Sequence, residues 1–135
     1  MVAAALTEMH EHGRHAVRIV DADCGTGRLL LHAVRHASAL GFKAIEGRGI
    51  DGSPVLVGRA RSAASQLHDS AIGITFDVAD MRVALRAERD FPADIVLCHG
   101  LRADDDPESL LSELSEAGDL VIADDECLSV RGHAA

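Results

Sequence analysis

Short apolar runs alternate with longer amphipathic segments along this chain. Runs rich in β-branched or other apolar residues predict strands at 16–22, 47–51, 72–78, 93–99 and 119–124. The segments between them have the apolar spacing of helices, at 28–40, 54–68 and 107–117, after an N-terminal helix at 3–12. Residues 82–92 predict one irregular helical turn. This alternation is typical of an α/β fold with a parallel sheet and crossover helices.

Two of these helices carry start signals. Ser53 can accept a hydrogen bond from a free backbone amide, and Pro54 suits the first helical position. Asp106 and Pro107 repeat the arrangement, and Gly118 predicts the end of that helix. These signals predict the helix starts at 54 and 107.

The length of 135 residues suits one domain. We predict a single domain over 1–126 and a short tail over 127–135. The nine residues "CLSVRGHAA" are too few for another crossover helix, so the sheet is expected to end at five strands.

Composition narrows the classes of partner. Hydrophobic residues make up 47% of the chain and aromatic residues only 2%, so the core is expected to consist of Leu, Val, Ile and Ala. The formal net charge is -9. A negative surface without aromatic stacking platforms disfavours direct binding of nucleic acid.

The cysteines and the apolar runs indicate in which cellular compartment the protein is expected. Cys24, Cys98 and Cys127 are odd in number and contain no CxxC pair, which argues against a disulfide framework or a structural zinc site. The N-terminus does not read as a signal peptide, and no apolar run approaches the roughly 20 residues that span a bilayer. A reducing cytoplasm fits these features best.

A glycine-rich turn, "IVDADCGTGRLL" at 19–30, joins the first predicted strand to its helix. Backbone amides at such a helix start bind carboxylates or phosphates, and Gly25 and Gly27 allow a ligand to approach closely. The nicotinamide fingerprint GxGxxG requires a third glycine where this chain has Leu30. A nicotinamide-binding oxidoreductase is therefore the least favoured interpretation.

Within this turn, "DADCGTG" resembles the first motif of the class I S-adenosylmethionine-dependent methyltransferases. That motif is an acid followed by x, G, x, G, x, G, and it matches at Asp21, Gly25 and Gly27. Asp23 stands where the family usually has glycine. "GIDGSP" resembles the second motif, whose acid accepts hydrogen bonds from the ribose hydroxyls of the cofactor, and this acid is Asp51.

The resemblance continues in register over residues 14–126. "FDVADMRVAL" is similar to the family's segment after strand three, where an acid near the adenine amino group precedes an apolar neighbour of the ring; these are Asp80 and Met81. "FPADIVLCHGL" and "LLSELSEAGDLVIADDE" resemble strands four and five. Taken singly, each acid could be a helix cap and each glycine a turn residue. Their joint order and spacing favour the family.

The resemblance implies an α/β, Rossmann-like three-layer sandwich with strand order 3-2-1-4-5. The family sheet has seven strands, so we expect this one to lack the last two, as in a C-terminally truncated enzyme. The implied cofactor is S-adenosyl-L-methionine. Its implied binding residues are Asp21, Asp23, Cys24, Gly25, Thr26, Gly27, Asp51, Gly52, Asp80, Met81 and Cys98.

Methyl transfer needs alignment and a dry site, with a general base only where the acceptor must lose a proton. His99 is the candidate base, and an exposed loop histidine is the alternative. Cys98 is expected to pack as a small hydrophobe. The Asn-Pro-Pro-aromatic motif of amino-methylating members is absent from "CHGLRAD", which disfavours DNA bases and favours a small-molecule acceptor.

The histidines raise the question of a metal site. His32 and His36 share a helix face, and His10, His12 and His15 cluster near the N-terminus. No acid completes either ligand set at a known spacing, so the sequence predicts no metal site.

Two features leave the activity open. Asp23 would crowd the cofactor and repel its carboxylate while attracting its ammonium and sulfonium groups. A five-stranded sheet would leave strand five as an edge, which predicts a homodimer or a protein partner that covers it. The sequence therefore allows a methyltransferase acting on a small molecule, or a non-catalytic methyltransferase-like binding protein.

Overall fold

A computed structural model describes residues 1–101, 104–123 and 128–131 of the chain. Its helices are α1 (Val2–Glu11), α2 (Arg28–Leu40), α3 (Pro54–Ala64), α4 (Met81–Ala87) and α5 (Pro107–Ala117), with a 3-10 turn at Glu88–Asp90. Its strands are β1 (Ala16–Asp21), β2 (Ala44–Asp51), β3 (Ile72–Val78), β4 (Ala93–Cys98), β5 (Gly118–Ala123) and β6 (Leu128–Arg131).

The first five strands are parallel and lie in the order β3-β2-β1-β4-β5, which confirms the predicted topology. Alternate residues of β1 point to opposite faces, so Ile19 packs with α1, α2 and α3, and Val20 packs with α4 and α5. Helices therefore cover both faces of the sheet. This is a Rossmann-like three-layer sandwich.

The predicted elements are present, with some boundaries moved. The strand predicted at 47–51 begins at Ala44, and the helix predicted at 54–68 ends at Ala64. The predicted irregular turn is a helix, α4, whose first amides are capped by the Asp80 side chain. The cap interactions of Ser53 and Asp106 are confirmed, with bonds of 3.2 Å from the amides of Leu56 and Ser109.

The prediction that the sheet ends at five strands is wrong. β6, which falls in the predicted tail, pairs antiparallel with β5 from Ala123↔Leu128 to Leu120↔Arg131. An antiparallel strand needs no crossover helix, so four residues are enough to extend the sheet. β6 occupies the edge on which the predicted homodimer or protein partner depended. That assembly stays a prediction, which sedimentation over micromolar concentrations can test.

One buried acid supports the fold away from the strand ends. Glu88 is 4% exposed, and its carboxylate pairs with Arg18 at 2.6 Å and Arg48 at 2.5 Å. Burial alone would raise the pKa of Glu88, but the two guanidinium groups outweigh it and hold this pKa below its ordinary value. These two ion pairs hold the 3-10 turn against β1 and β2.

No helix among the residues that the structure describes is long and apolar enough to cross a membrane.

Candidate functional site

The carboxyl ends of the parallel strands meet at one edge of the sheet. β1 has β2 on one side and β4 on the other, so the strand order reverses beside β1. Ligands of open α/β sheets bind in the crevice at this switch point. The loops that follow β1, β2 and β4 surround it.

Gly25 connects the first loop to the second. It has a φ of +56°, and its amide donates to Asp51 Oδ2 at 3.0 Å. The other oxygen of Asp51 accepts from the Ser53 amide at 2.8 Å. Asp51 therefore fixes the glycine turn to the start of α3. Each of its oxygens keeps a second lone pair for a ligand hydroxyl.

Gly27 is required by close packing. It lies at the start of α2 with a φ of +80°, and a Cβ placed there would come within 2.8 Å of the Phe76 ring and 3.0 Å of Ala60. Both neighbours are buried. This glycine therefore allows α2 to approach the sheet closely.

Asp21 ends β1 and is completely buried. Its Oδ1 accepts a 3.3 Å hydrogen bond from the Asp23 amide. Its Oδ2 accepts no hydrogen bond from the described part of the chain, and His99 Nε2 lies 3.6 Å away. A buried carboxylate oxygen that accepts no hydrogen bond destabilises the folded state, so a ligand that satisfies it would stabilise the fold.

Asp23 joins the loop after β1 to the loop after β4. Its Oδ1 accepts from the His99 amide at 2.7 Å, and its Oδ2 accepts from the Gly100 amide at 2.6 Å. Burial raises the pKa of Asp23 to about 6; these amides oppose the rise, and the neighbouring charge of Asp21 adds to it. The residue that departs from the family motif thus joins these two loops.

The two cysteines of the site are buried and not disulfide-bonded. Burial, with the charges of Asp21 and Asp51, raises the pKa of Cys24 to about 12, so this thiol stays protonated and is a poor nucleophile. Cys98 is 2% exposed in the packed end of β4, as predicted for a small hydrophobe. Cys127 lies outside the described residues.

A cavity of about 990 Å³ opens on the glycine loop and extends along α2 towards α3. A cavity of this size can hold a ligand as large as a nucleoside derivative. Five of the predicted site residues line it: Asp23, Cys24, Gly25, Thr26 and His99.

The other predicted residues lie outside this lining. Asp21 lies beneath the loop and Cys98 at the end of β4, while Asp51 contacts the lining through Gly25. Asp80 is exposed, and its carboxylate caps α4 by accepting a hydrogen bond from the Val83 amide. Met81 is the first residue of that helix. The Ala79 amide donates a 3.1 Å hydrogen bond to the Asp51 carbonyl oxygen. The loops after β2 and β3 are therefore adjacent, but the structure does not bring Asp80 and Met81 into the cavity.

Sequence reasoning missed the basic side of the cavity. Arg28, His32 and Arg35 line it from α2, and Arg59 lines it from α3. The sequence does indicate this basic side, because positions 28, 32 and 35 have the spacing of one helix face. The His32 ring stacks on that of His36, with centroids 6.4 Å apart.

The structure also assembles a ligand set that sequence spacing did not indicate. Asp21, Asp23 and His99 each offer one atom that lies within 4.8 Å of the other two. Asp21 ends β1, Asp23 follows it, and His99 follows β4, so only the strand order brings the three together. Within the described residues, this is the one group of at least three acids, histidines or cysteines with such proximity.

No protein-family model and no curated protein matches the sequence. Solved structures do match it. A protein described as a class I S-adenosylmethionine-dependent methyltransferase from Listeria monocytogenes has a TM-score of 0.68 at 16% identity, over 90% of this chain and 42% of that one. Magnesium protoporphyrin IX methyltransferase from Synechocystis, solved with bound S-adenosylmethionine, has a TM-score of 0.63 at 20% identity, over 90% and 55%.

A methylase from Haemophilus influenzae has a TM-score of 0.64 at 16% identity, over 91% of this chain and 70% of that one. The chain spans less than two thirds of the length of the first two proteins. These likenesses, together with the observed strand order, show that the chain has the fold of the class I S-adenosylmethionine-dependent methyltransferases.

Proposed function

We propose that this protein binds S-adenosylmethionine at the glycine loop and transfers its methyl group to a small-molecule acceptor. The observation that carries the proposal is the cavity of about 990 Å³, which opens on that loop at the switch point of the sheet. One structural neighbour, magnesium protoporphyrin IX methyltransferase from Synechocystis, was solved with bound S-adenosylmethionine in the same fold.

The charges around the cavity suit this cofactor. Asp23 lies at one end, and Arg28, Arg35 and Arg59 lie along the helices. An acid attracts the ammonium and sulfonium groups of the cofactor, and a guanidinium group attracts its carboxylate. Asp51 contacts the cavity lining through Gly25, and the oxygens of its carboxylate each keep a lone pair that would accept from the ribose hydroxyls of the cofactor.

His99 lines the same cavity with its side chain 41% exposed. It can reach both solvent and a bound acceptor, as a general base must. We propose it as the residue that removes a proton where the acceptor has one to lose.

Calorimetric titration with S-adenosylmethionine tests the proposal. The wild-type protein is expected to bind one equivalent, and Asp51→Ala is expected to bind on the order of 10- to 100-fold more weakly, because hydrogen bonds to a carboxylate are lost. Asp90→Ala is the matched control, since Asp90 is an exposed acid of the 3-10 turn that precedes β4, at the opposite edge of the sheet. Binding that is absent, or equal in Asp51→Ala and wild type, contradicts the proposal.

A specific observation favours a second function, which is cofactor binding without transfer. The backbone amides of His99 and Gly100 already donate hydrogen bonds to Asp23, in the loop where an acceptor would approach. Formation of S-adenosylhomocysteine during incubation with mixed amine, thiol and hydroxyl compounds separates the two functions. Binding with no product in any mixture favours the second.

We propose that the protein is cytoplasmic. The support is that Cys24 and Cys98 are buried and reduced in the fold. Fractionation of cells that produce the chain with a small epitope tag tests this placement.

A further inference from the structure

We propose that Asp21, Asp23 and His99 form a binding site for a divalent transition-metal ion. The set contains two carboxylates and one imidazole, with one atom of each within 4.8 Å of the others. This proposal shares Asp23 and His99 with the proposed function and adds Asp21, which that function does not use. Where the ion is bound, His99 acts as its ligand and not as a base.

The strongest observation is the state of Asp21. Its Oδ2 is buried, accepts no hydrogen bond from any described residue, and points to the side where His99 lies. Leaving such an oxygen unsatisfied disfavours the folded state. A bound cation would satisfy it directly.

The spacing fits a small cation. Zinc-type ions hold nitrogen and oxygen ligands at about 2.0–2.2 Å, so neighbouring ligand atoms in a tetrahedron lie about 3.3–3.6 Å apart. The observed distance from Asp21 Oδ2 to His99 Nε2 is 3.6 Å, which fits. The full set lies within 4.8 Å, so its side chains must move closer by up to about 1 Å, and the His99 side chain, 41% exposed, has room to move.

Asp23 is oriented to complete the set. Its two oxygens accept from the amides of His99 and Gly100, which fixes the carboxylate plane. Each oxygen keeps one lone pair, and metal-binding carboxylates are commonly held by such hydrogen bonds.

The local charge also favours a cation. Asp21 and Asp23 place two carboxylates together, and no lysine or arginine of the described chain lies within 4.0 Å of either. A divalent ion neutralises both. Two carboxylates with one imidazole suit manganese, iron or zinc, and three protein ligands leave positions open for water or a ligand. Asp23 and His99 line the cavity, so the ion would be accessible from it.

Titration with Mn²⁺, followed by electron paramagnetic resonance, tests the site. Mn²⁺ lies at the weak end of the divalent series, so a lone surface histidine holds it poorly and a built site is needed. We expect one saturable equivalent in the wild type. Asp21→Asn and His99→Gln are each expected to weaken binding at least 10-fold.

The controls separate this site from other histidines and from misfolding. His12→Ala removes an exposed histidine near the start of β1, at the opposite edge of the sheet, and is expected to bind Mn²⁺ as the wild type does. His99 is exposed, so His99→Gln stays informative even where Asp21→Asn fails to fold. Equal Mn²⁺ binding in wild type and His99→Gln, or no saturable binding in the wild type, overturns the proposal.

Asp51→Ala distinguishes this proposal from the cofactor proposal. Asp51 belongs to the proposed cofactor site and not to the metal-ligand set. With EDTA present, Asp51→Ala is expected to lose most of its affinity for S-adenosylmethionine. Without EDTA it is expected to keep binding Mn²⁺. Each of the two proposals can therefore fail while the other stands.

Discussion

The raised pKa of Asp23 predicts a specific dependence of stability on pH. Its ordinary value is 3.8, and in the fold it is about 6, chiefly because burial disfavours the charged carboxylate. The folded state therefore holds the Asp23 proton more tightly than the unfolded state. Stability from this group is greatest below about pH 4 and falls as the pH rises to about 6.

The size of the effect follows from the shift. A shift of about 2 units corresponds to about 3 kcal/mol at full burial. Asp23 is partly exposed, so solvent screening reduces this to about 1–2 kcal/mol. That is a measurable fraction of the 5–15 kcal/mol typical of a small domain.

The variant Asp23→Asn isolates the effect because its side chain does not titrate. Urea denaturation, followed by circular dichroism in EDTA, gives the free energy of unfolding of both proteins from pH 4 to pH 7. The asparagine side chain has one acceptor oxygen instead of two, so one of the two backbone N–H groups loses its partner. This loss lowers stability by an amount that does not vary with pH. Relative to the variant, the wild type is expected to lose about 1–2 kcal/mol over this range.

The control is Asp90→Asn, an exposed site that changes the net charge by the same amount. A difference in unfolding free energy between wild type and Asp23→Asn that stays constant from pH 4 to pH 7 would refute the reasoning.

Two further substitutions test the packing and charge of the fold. Glu88→Gln leaves two arginines without their buried partner and is expected to lower stability by about 2–4 kcal/mol at pH 7. Because the fold lowers the pKa of Glu88 from its ordinary value of 4.5, the unfolding free energies of wild type and Glu88→Gln in urea should converge as the pH falls below 4.5 through the lowered pKa. A gap that stays constant with pH contradicts this. Gly27→Ala forces a Cβ against Phe76 at positive φ and should cost at least about 1–2 kcal/mol in thermal unfolding. Gly52→Ala, in open space, should cost less, and equal losses would refute the packing argument.

The elements of the fold could be predicted because they depend on local pattern. Ser53 and Asp106 mark helix starts through bonds to amides three residues ahead, and this spacing is visible in the sequence. Asp80 caps α4 in the same way, so the prediction of an irregular turn overlooked an available signal. β6 was missed because four residues carry too little periodicity to stand out.

The site could be predicted only in part. The glycine loop and Asp51 are local features, and Gly25 does bond to Asp51. The contact of Asp23 with His99 joins residues 76 positions apart. No spacing rule reaches across that separation, because it is the pairing of β1 with β4 that closes it.

Asp21 and Asp23 give the two proposals a common physical basis. A buried carboxylate oxygen without a hydrogen bond, beside a second carboxylate whose pKa is raised, is a centre of partly compensated negative charge. The fold places it at the switch point, where α/β proteins bind ligands. At neutral pH a cation relieves it, and a metal ion or the ammonium and sulfonium groups of S-adenosylmethionine can each supply that charge. The departure of Asp23 from the family glycine therefore does not by itself argue against a ligand; it selects for ligands that are cationic where they meet the loop.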